Sequence, residues 1–360
     1  MARCNLNCSY CYIYNHEDTS YLRRPRFISD EVVHAAIGRM RDYCERRPGH
    51  AMSLVFHGGE PTLMPPARFD RIAGYVRDEF GSALAGMSIQ TNATLIDDRW
   101  IDIFSRHGLS VGVSLDGPRE VHDAVRVDHA NRGSYDATMA GIRRLQGAGI
   151  EPRILCVINP GSSGLDVYRH FRDEGIRWMS FLLPDVSHDH KRDWYGGFEP
   201  TPVARYLIPI FDEWFRADEP EIVIANFWDL LRRLMGGPGL VDCFGNPLMS
   251  YLVVETDGSI EALDALRVCD EGIANSGLNV LDHGFDDLAS GARLVHQAVH
   301  EGFPLCAKCL QCEFVDVCGG GYLPHRYSRA RSFDNPSVWC EDILILLRHM
   351  EASIREFAPA

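Results

Sequence analysis

Between Met52 and Pro184 the chain alternates short apolar runs with amphipathic stretches, and no other feature limits its fold so much. "MSLVFHGGEPTL" (52–63), "MSIQTN" (87–92), "LSVGVSLDG" (109–117), "RILCVIN" (153–159) and "RWMSFLLP" (177–184) read as strands. Helical spacing fills the gaps at 68–80, 97–108, 135–148 and 164–175. A further helix over 29–46 opens on Ser29 and Asp30, which suit a helix cap. Strand, helix, strand in repetition implies parallel strands joined by right-handed crossovers. The expectation is an α/β fold with five clear strands, forming a partial barrel. Each run ends in polar residues, glycine or proline, and folds of this kind place their sites at those strand ends.

Beyond Pro184 the pattern changes. "DVSHDHKRDWYGGFEPTP" (185–202) reads as a loop, and His188, Asp189 and His190 within it read as solvated rather than metal-binding. Helices follow near 203–216 and 226–235, and "GGPG" (236–239) reads as a linker. "SYLVVETDGSIEA" (250–262) reads as a hairpin around Asp257-Gly258. A loop-rich, cysteine-rich region and a last helix over 340–357 complete the chain. We therefore expect one domain over 1–235 and a second over 240–360.

No run of about 18 apolar residues is present, so no membrane span is expected. The first residues lack the apolar segment of a secretory signal. A formal net charge of −14 argues against binding nucleic acid. These traits suit a cytoplasmic protein. In a reducing compartment, the grouping of most of the 12 cysteines into two tight clusters points to metal binding rather than disulfides.

The first cluster is Cys4-x3-Cys8-x2-Cys11. It offers three thiolates with no fourth ligand nearby, whereas structural zinc wants four. An iron–sulfur cluster held by three cysteines keeps one iron open, and an open iron can chelate a small molecule. With Tyr10 as the aromatic before Cys11, the loop resembles that of the radical S-adenosylmethionine (SAM) enzymes. The resemblance implies a partial (β/α)6-type barrel and a [4Fe-4S] cluster whose open iron binds SAM. The electron that cleaves SAM gives a 5′-deoxyadenosyl radical, which abstracts hydrogen from the substrate. It also implies an electron donor of flavodoxin or ferredoxin type. In that family a strand precedes the first cysteine; here only Met1, Ala2 and Arg3 precede Cys4.

Three further segments carry the resemblance. "HGGEPTL" resembles the family's Gly-Gly-Glu motif. There Gly58 and Gly59 would let the backbone approach the ligand, and Glu60 would accept from the SAM ammonium. "QTNATL" resembles the next strand-end motif, with Asn92 at its tip. "VSLDGPREVHDAVR" resembles the strand-four region of peptide-modifying members, where Ser114 and Arg126 would face the SAM carboxylate. Arginine suits that role because guanidinium binds carboxylate bidentately.

The second cluster is Cys309-x2-Cys312-x5-Cys318, with Cys340 following. It resembles the SPASM extension of radical SAM maturases, a loop-rich, cysteine-rich C-terminal region. The resemblance implies one auxiliary [4Fe-4S] cluster on Cys309, Cys312, Cys318 and Cys340; a four-cysteine zinc site is the competing reading. Where such maturases carry two more ligands of a second auxiliary cluster, this chain has Leu263 and Tyr322. Cys243, Cys269 and Cys306 are what remains for that cluster, if it is kept. Asp264 stands at the place of the base proposed in sulfatase maturases.

"CGGGYLPHRYS", "FDNPSVWC", "ETDGSIEALDALR" and "PIFDEWF" together resemble the maturases of ribosomally made peptides that form cyclophanes. These join an aromatic ring to the Cβ of a residue two positions on. The expected partner is a precursor peptide. Two alternatives compete: a sulfatase-type maturase oxidising Ser or Cys to formylglycine, and a zinc-stabilised peptide-binding protein without catalysis.

Overall fold

The computed structural model describes residues 1–191, 197–239, 241, 251–293, 299 and 301–357. The alternation appears as α1 (Asp30–Glu45), β1 (Met52–Phe56), α2 (Pro66–Phe80), β2 (Leu84–Thr91), α3 (Asp98–His107), β3 (Ser110–Ser114), α4 (Arg119–Val125), α5 (Tyr135–Gly147), β4 (Pro152–Val157), α6 (Gly164–Asp173) and β5 (Trp178–Leu182). It continues with α7 (Pro202–Ala217), β6 (Val223–Ile224) and α8 (Ala225–Leu234). Three short strands follow: β7 (Val253–Val254), β8 (Ser259–Glu261) and β9 (Leu278–Asn279). Two short helices, α9 (Ala307–Leu310) and α10 (Val315–Cys318), precede the long α11 (Cys340–Phe357).

The main sheet has six strands in sequence order, β1 to β6, and among the described residues it does not close into a barrel. The five expected strands are present. The sixth, Val223–Ile224, pairs in parallel with Trp178 and Met179 of β5. No helix among the described residues is long and apolar enough to cross a membrane.

The chain forms two compact units. The first takes residues 1–115, 122–154 and 250–301; the second takes 116–121, 155–249 and 302–360. In the first, local chemistry sets the helix ends. The Ser29 hydroxyl accepts from the Val32 N–H at 3.1 Å, and Asp30 and Glu31 occupy the first turn of α1. Asp97 caps α3 in the same way, and Gly108 ends it with a left-handed φ of 59°. In β2, Met87, Ile89 and Thr91 are buried in alternation, as one side of a covered strand requires. Phe56 packs on Phe69 at 4.5 Å between ring centroids, and Phe69 on Trp100 at 5.1 Å. Parallel register pairs Phe56 with Ile89 and Thr91 with Val113. The carboxyl ends of β1, β2 and β3 therefore finish side by side.

The expected hairpin is the antiparallel pair β7–β8, with Val254 opposite Ile260. Gly258 supplies the positive φ of 84° that its turn needs. The strand β9 adds to β8.

In the second unit α7 and α8 pack through Phe211, Trp214 and Phe227, with Phe211 and Phe227 edge to face at 5.4 Å. Asp342 of α11 accepts from the N–H groups of Val203 and Ala204 at 2.8 and 3.0 Å. It thereby satisfies the start of α7, where Thr201 makes no side-chain cap. The His188 ring contacts the Pro336 carbonyl, the His190 ring the Ser187 hydroxyl, and Asp189 accepts from the Arg329 N–H.

Candidate active site

Other segments seat the cysteine loop. The N–H groups of Asn7 and Ser9 donate to the carbonyls of Val127 and Val125 at 2.7 and 3.0 Å. The His129 ring contacts the Cys4 carbonyl at 3.0 Å. On the other side, Gly59 and Glu60 donate their N–H groups to the carbonyls of Met1 and Arg3. The backbone of residues 1–3 thus runs against the glycine turn. A side chain at Gly58 would strike the Met1 carbonyl, and one at Gly59 the Arg3 carbonyl and the Tyr14 hydroxyl. The close approach that these glycines permit is, in this structure, an approach of the chain to itself.

Glu60 is 1% exposed. One of its oxygens accepts from the N–H and hydroxyl of Thr62, at 3.0 and 2.5 Å, and from the Thr91 hydroxyl at 2.7 Å. The other accepts from the Asn92 N–H at 2.7 Å. Burial pushes this carboxyl up, and the four donors pull it back. The glutamate ties the end of β1 to the end of β2. Asn92 in turn donates to the Asn5 side chain at 2.9 Å and lies 3.8 Å from the Cys4 sulfur. Ser114, at the end of β3, accepts from Gln90 at 3.0 Å.

Arg126 is 8% exposed. It lies 3.9 Å from the Cys8 sulfur and 5.3 Å from the centroid of the Tyr10 ring. The Leu6 N–H points at the Cys4 sulfur from 3.4 Å. Burial pushes the Cys4 thiol up to about 12 and the Cys11 thiol upward as well; the Ile13 and Tyr14 backbone N–H groups, then Arg126 and Arg267, pull Cys11 back. Thiols this poor at ionising become thiolates when a metal takes the proton's place. Backbone donors and guanidiniums beside sulfur suit an anionic iron–sulfur cluster. Among the described residues, no three His, Cys, Asp or Glu side chains gather closely enough for one metal ion. A four-iron cluster makes no such demand, because it holds each cysteine on a different iron.

Asp264 lies at the same place. The Tyr12 hydroxyl donates to its carboxylate at 2.8 Å, and the His57 ring stands 3.9 Å away. Tyr12 follows Cys11, and His57 precedes Gly58. Neither stood out in the sequence, because their partner lies more than 200 residues on and no local spacing links them. Behind Asp264 is a buried ionic group. Arg267 donates to Glu255 and Glu261 at 2.6 and 2.5 Å, and Arg24 pairs with the same two carboxylates.

The second unit holds the other cysteine group. Cys309, Cys312, Cys318 and Cys340 all line one cavity of about 380 Å³. Burial pushes Cys309 up to about 12 and Cys318 up to about 11, and the charges of neighbouring cysteines in the group push the same way. A shared cavity walled by four cysteines fits an all-cysteine cluster. Cys306 is buried beside Cys309, sulfur to sulfur 3.5 Å. Cys269 is fully buried in the first unit. Cys243 lies outside the described residues.

Comparison with known proteins agrees with this geometry. The radical SAM superfamily matches residues 1–173. The chain carries a radical SAM domain over those residues and is an enzyme. It is 26% identical to a cysteine-type anaerobic sulfatase-maturating enzyme of Clostridium novyi, over 94% of this chain and 90% of that protein. It is 27% identical to a serine-type anaerobic sulfatase-maturating enzyme of Bacteroides thetaiotaomicron, over 91% and 82%. The structure of native anSMEcpe with bound AdoMet and Cp18Cys peptide shares the fold, with a TM-score of 0.85, 23% identity, and 99% and 95% of the two chains covered.

Proposed function

We propose that the chain is a radical SAM maturase of a ribosomally made peptide, joining an aromatic ring to a nearby Cβ. The observation that carries the reading is the meeting of Asp264, Tyr12 and His57 beside the cysteine loop. A crosslink removes two hydrogens from the peptide. One leaves as an atom to the 5′-deoxyadenosyl radical, the other as a proton from the ring. Asp264 would take that proton, and Tyr12 would orient its carboxylate. Cys4, Cys8 and Cys11 would hold the cluster that binds SAM; Cys309, Cys312, Cys318 and Cys340 would hold an auxiliary one. When bound, the first supplies the electron that cleaves SAM, and the second accepts the electron the peptide loses. Arg126, beside Cys8 and Tyr10, would clamp the SAM carboxylate, with Ser114 and Asn92 at neighbouring strand ends. Glu60 would serve the SAM ammonium only through the oxygen it shares with the Asn92 N–H.

The sulfatase-maturating relatives favour a second reading, oxidation of Ser or Cys to formylglycine. Against it stand Leu263, fully buried, and Tyr322, which occupy the places of two cysteines. One experiment separates the two. The anaerobically loaded enzyme, SAM and a reductant are given a peptide with an aromatic residue two positions before an aliphatic or polar one, or a Cys/Ser sulfatase-type peptide. Loss of a hydrogen pair, with a new ring–Cβ bond in the fragment spectrum, supports the crosslink. A product that reacts with a hydrazide is an aldehyde and supports the alternative. SAM cleavage with neither product removes the cyclophane assignment.

A further inference from the structure

Between α4 and α5 the chain turns so that His122 and Ser134 meet, buried at 0% and 4% exposure. The Ser134 hydroxyl lies 2.8 Å from the Arg126 carbonyl and 2.9 Å from Nε2 of His122. A carbonyl only accepts, so the single hydroxyl proton goes to Arg126. The same oxygen must then accept from His122, which fixes the imidazole proton on Nε2. The Arg126 N–H returns to the His122 carbonyl at 2.8 Å. The neighbouring carbonyls of Val125 and Val127 face the other way and accept from Ser9 and Asn7 of the cysteine loop. Three consecutive peptide units are thus pinned in alternation, two to the loop and the middle one to the His122–Ser134 pair.

We propose that His122 and Ser134 are positioning residues that clamp the Arg126 peptide unit, hold its guanidinium over the cysteine loop, and so set the affinity for the carboxylate of SAM. The proposal rests on the role given to Arg126 above. Both act through the backbone of Arg126.

The test uses the cluster-loaded enzyme and SAM affinity by anaerobic equilibrium dialysis, with iron content and thermal midpoint measured on every variant. Ser134→Ala weakens SAM binding about tenfold, the size expected when one buried acceptor loses its donor. Ser134→Thr, which keeps the hydroxyl, stays within about twofold of wild type. In an Arg126→Ala background Ser134→Ala adds nothing, because the guanidinium it positioned is gone. Should Ser134→Ala fail to fold, His122→Phe removes the donor at similar volume, and weaker SAM binding at unchanged iron content carries the same meaning. Wild-type affinity in either folded single variant overturns the clamp, as does a full additional loss in the Arg126→Ala background. A wild-type protein that does not bind SAM at all would sink the proposed function instead.

Discussion

The two cysteine groups differ in how the chain holds them. Cys309, Cys312 and Cys318 fall within ten residues, Cys309 on α9, Cys318 at the end of α10 and Cys312 in the turn between them, and Cys340 opens α11. Their cavity is made largely by the residues between them, from Lys308 to Gly320. The first group closes a turn between Cys8 and Cys11 but depends on distant segments for the rest. Its loop borrows Val125, Val127, His129, Gly59 and Glu60 for its backbone bonds, and Asn92 and Arg126 stand at its sulfurs. A fully ligated cluster needs only a cage. A cluster that keeps an open iron needs surroundings for what the iron binds, and those come from the strand ends of the sheet and from the segment that follows α4.

The sharpest break of this comparison removes one group at a time. Replacing Cys4, Cys8 and Cys11 by alanine should abolish 5′-deoxyadenosine formation while leaving roughly half the iron. Replacing Cys309 and Cys318 should also cost roughly half the iron, yet SAM cleavage should persist while peptide crosslinking is lost. Both are read by iron and sulfide analysis with chromatography of the nucleoside. Loss of all iron in either variant would show the two sites to be interdependent, against the self-contained cage inferred for the second.

The next effect lies within the first site. Asp264→Asn keeps shape and removes the base. Peptide modification should fall by about 10² to 10⁴-fold, with SAM cleavage changed only a few-fold. Tyr12→Phe should act in the same direction and less. Equal loss of both activities would make Asp264 a structural residue of the buried ionic group with Arg267 and Glu261.

A smaller effect is shared by both groups. The ordinary thiol titrates near 8.5, and burial holds Cys4, Cys309 and Cys318 at about 12, 12 and 11. Below pH 9 these thiols keep their protons until iron displaces them, so loading releases protons. Iron retention against a ferrous chelator should therefore rise from pH 6.5 to 8.5, in each single-group variant as in wild type. Retention that is flat or falling with pH would mean the thiols are already ionised.

Much of this was legible in the sequence, and the rest was hidden for identifiable reasons. The five longer strands and the capped helix α1 follow from local periodicity and from Ser29. The sixth strand escaped because Val223–Ile224 is too short to show any period, and its pairing with Trp178 and Met179 is a tertiary fact. The same holds for β9, two residues long. The motif cysteines announce themselves by spacing. Tyr12 and His57 do not, since only the fold brings Asp264 to them. The glycines of the Gly-Gly-Glu turn were legible as a close approach, but not which backbone approaches: residues 1–3, just ahead of Cys4.

Lys308 offers the finest distinction between the groups. The first group has buried guanidiniums near its sulfurs; the second has, besides the buried guanidinium of Arg326, an exposed ammonium, which hydrogen-bonds Cys340 and draws its thiol down against the effect of burial. A cation beside a cluster sulfur stabilises the reduced, more negative state, so it raises the reduction potential. Lys308→Met should therefore lower the potential of the auxiliary cluster. Solvent screens an exposed charge, so the shift should be about 10–40 mV, the range an exposed ion pair commands. Redox titration followed by electron paramagnetic resonance reads it, with the cluster of Cys4, Cys8 and Cys11 as internal reference. A shift confined to the auxiliary signal assigns Cys340 as its ligand; an equal shift in both signals, or none, removes Lys308 from the electrostatics of that site.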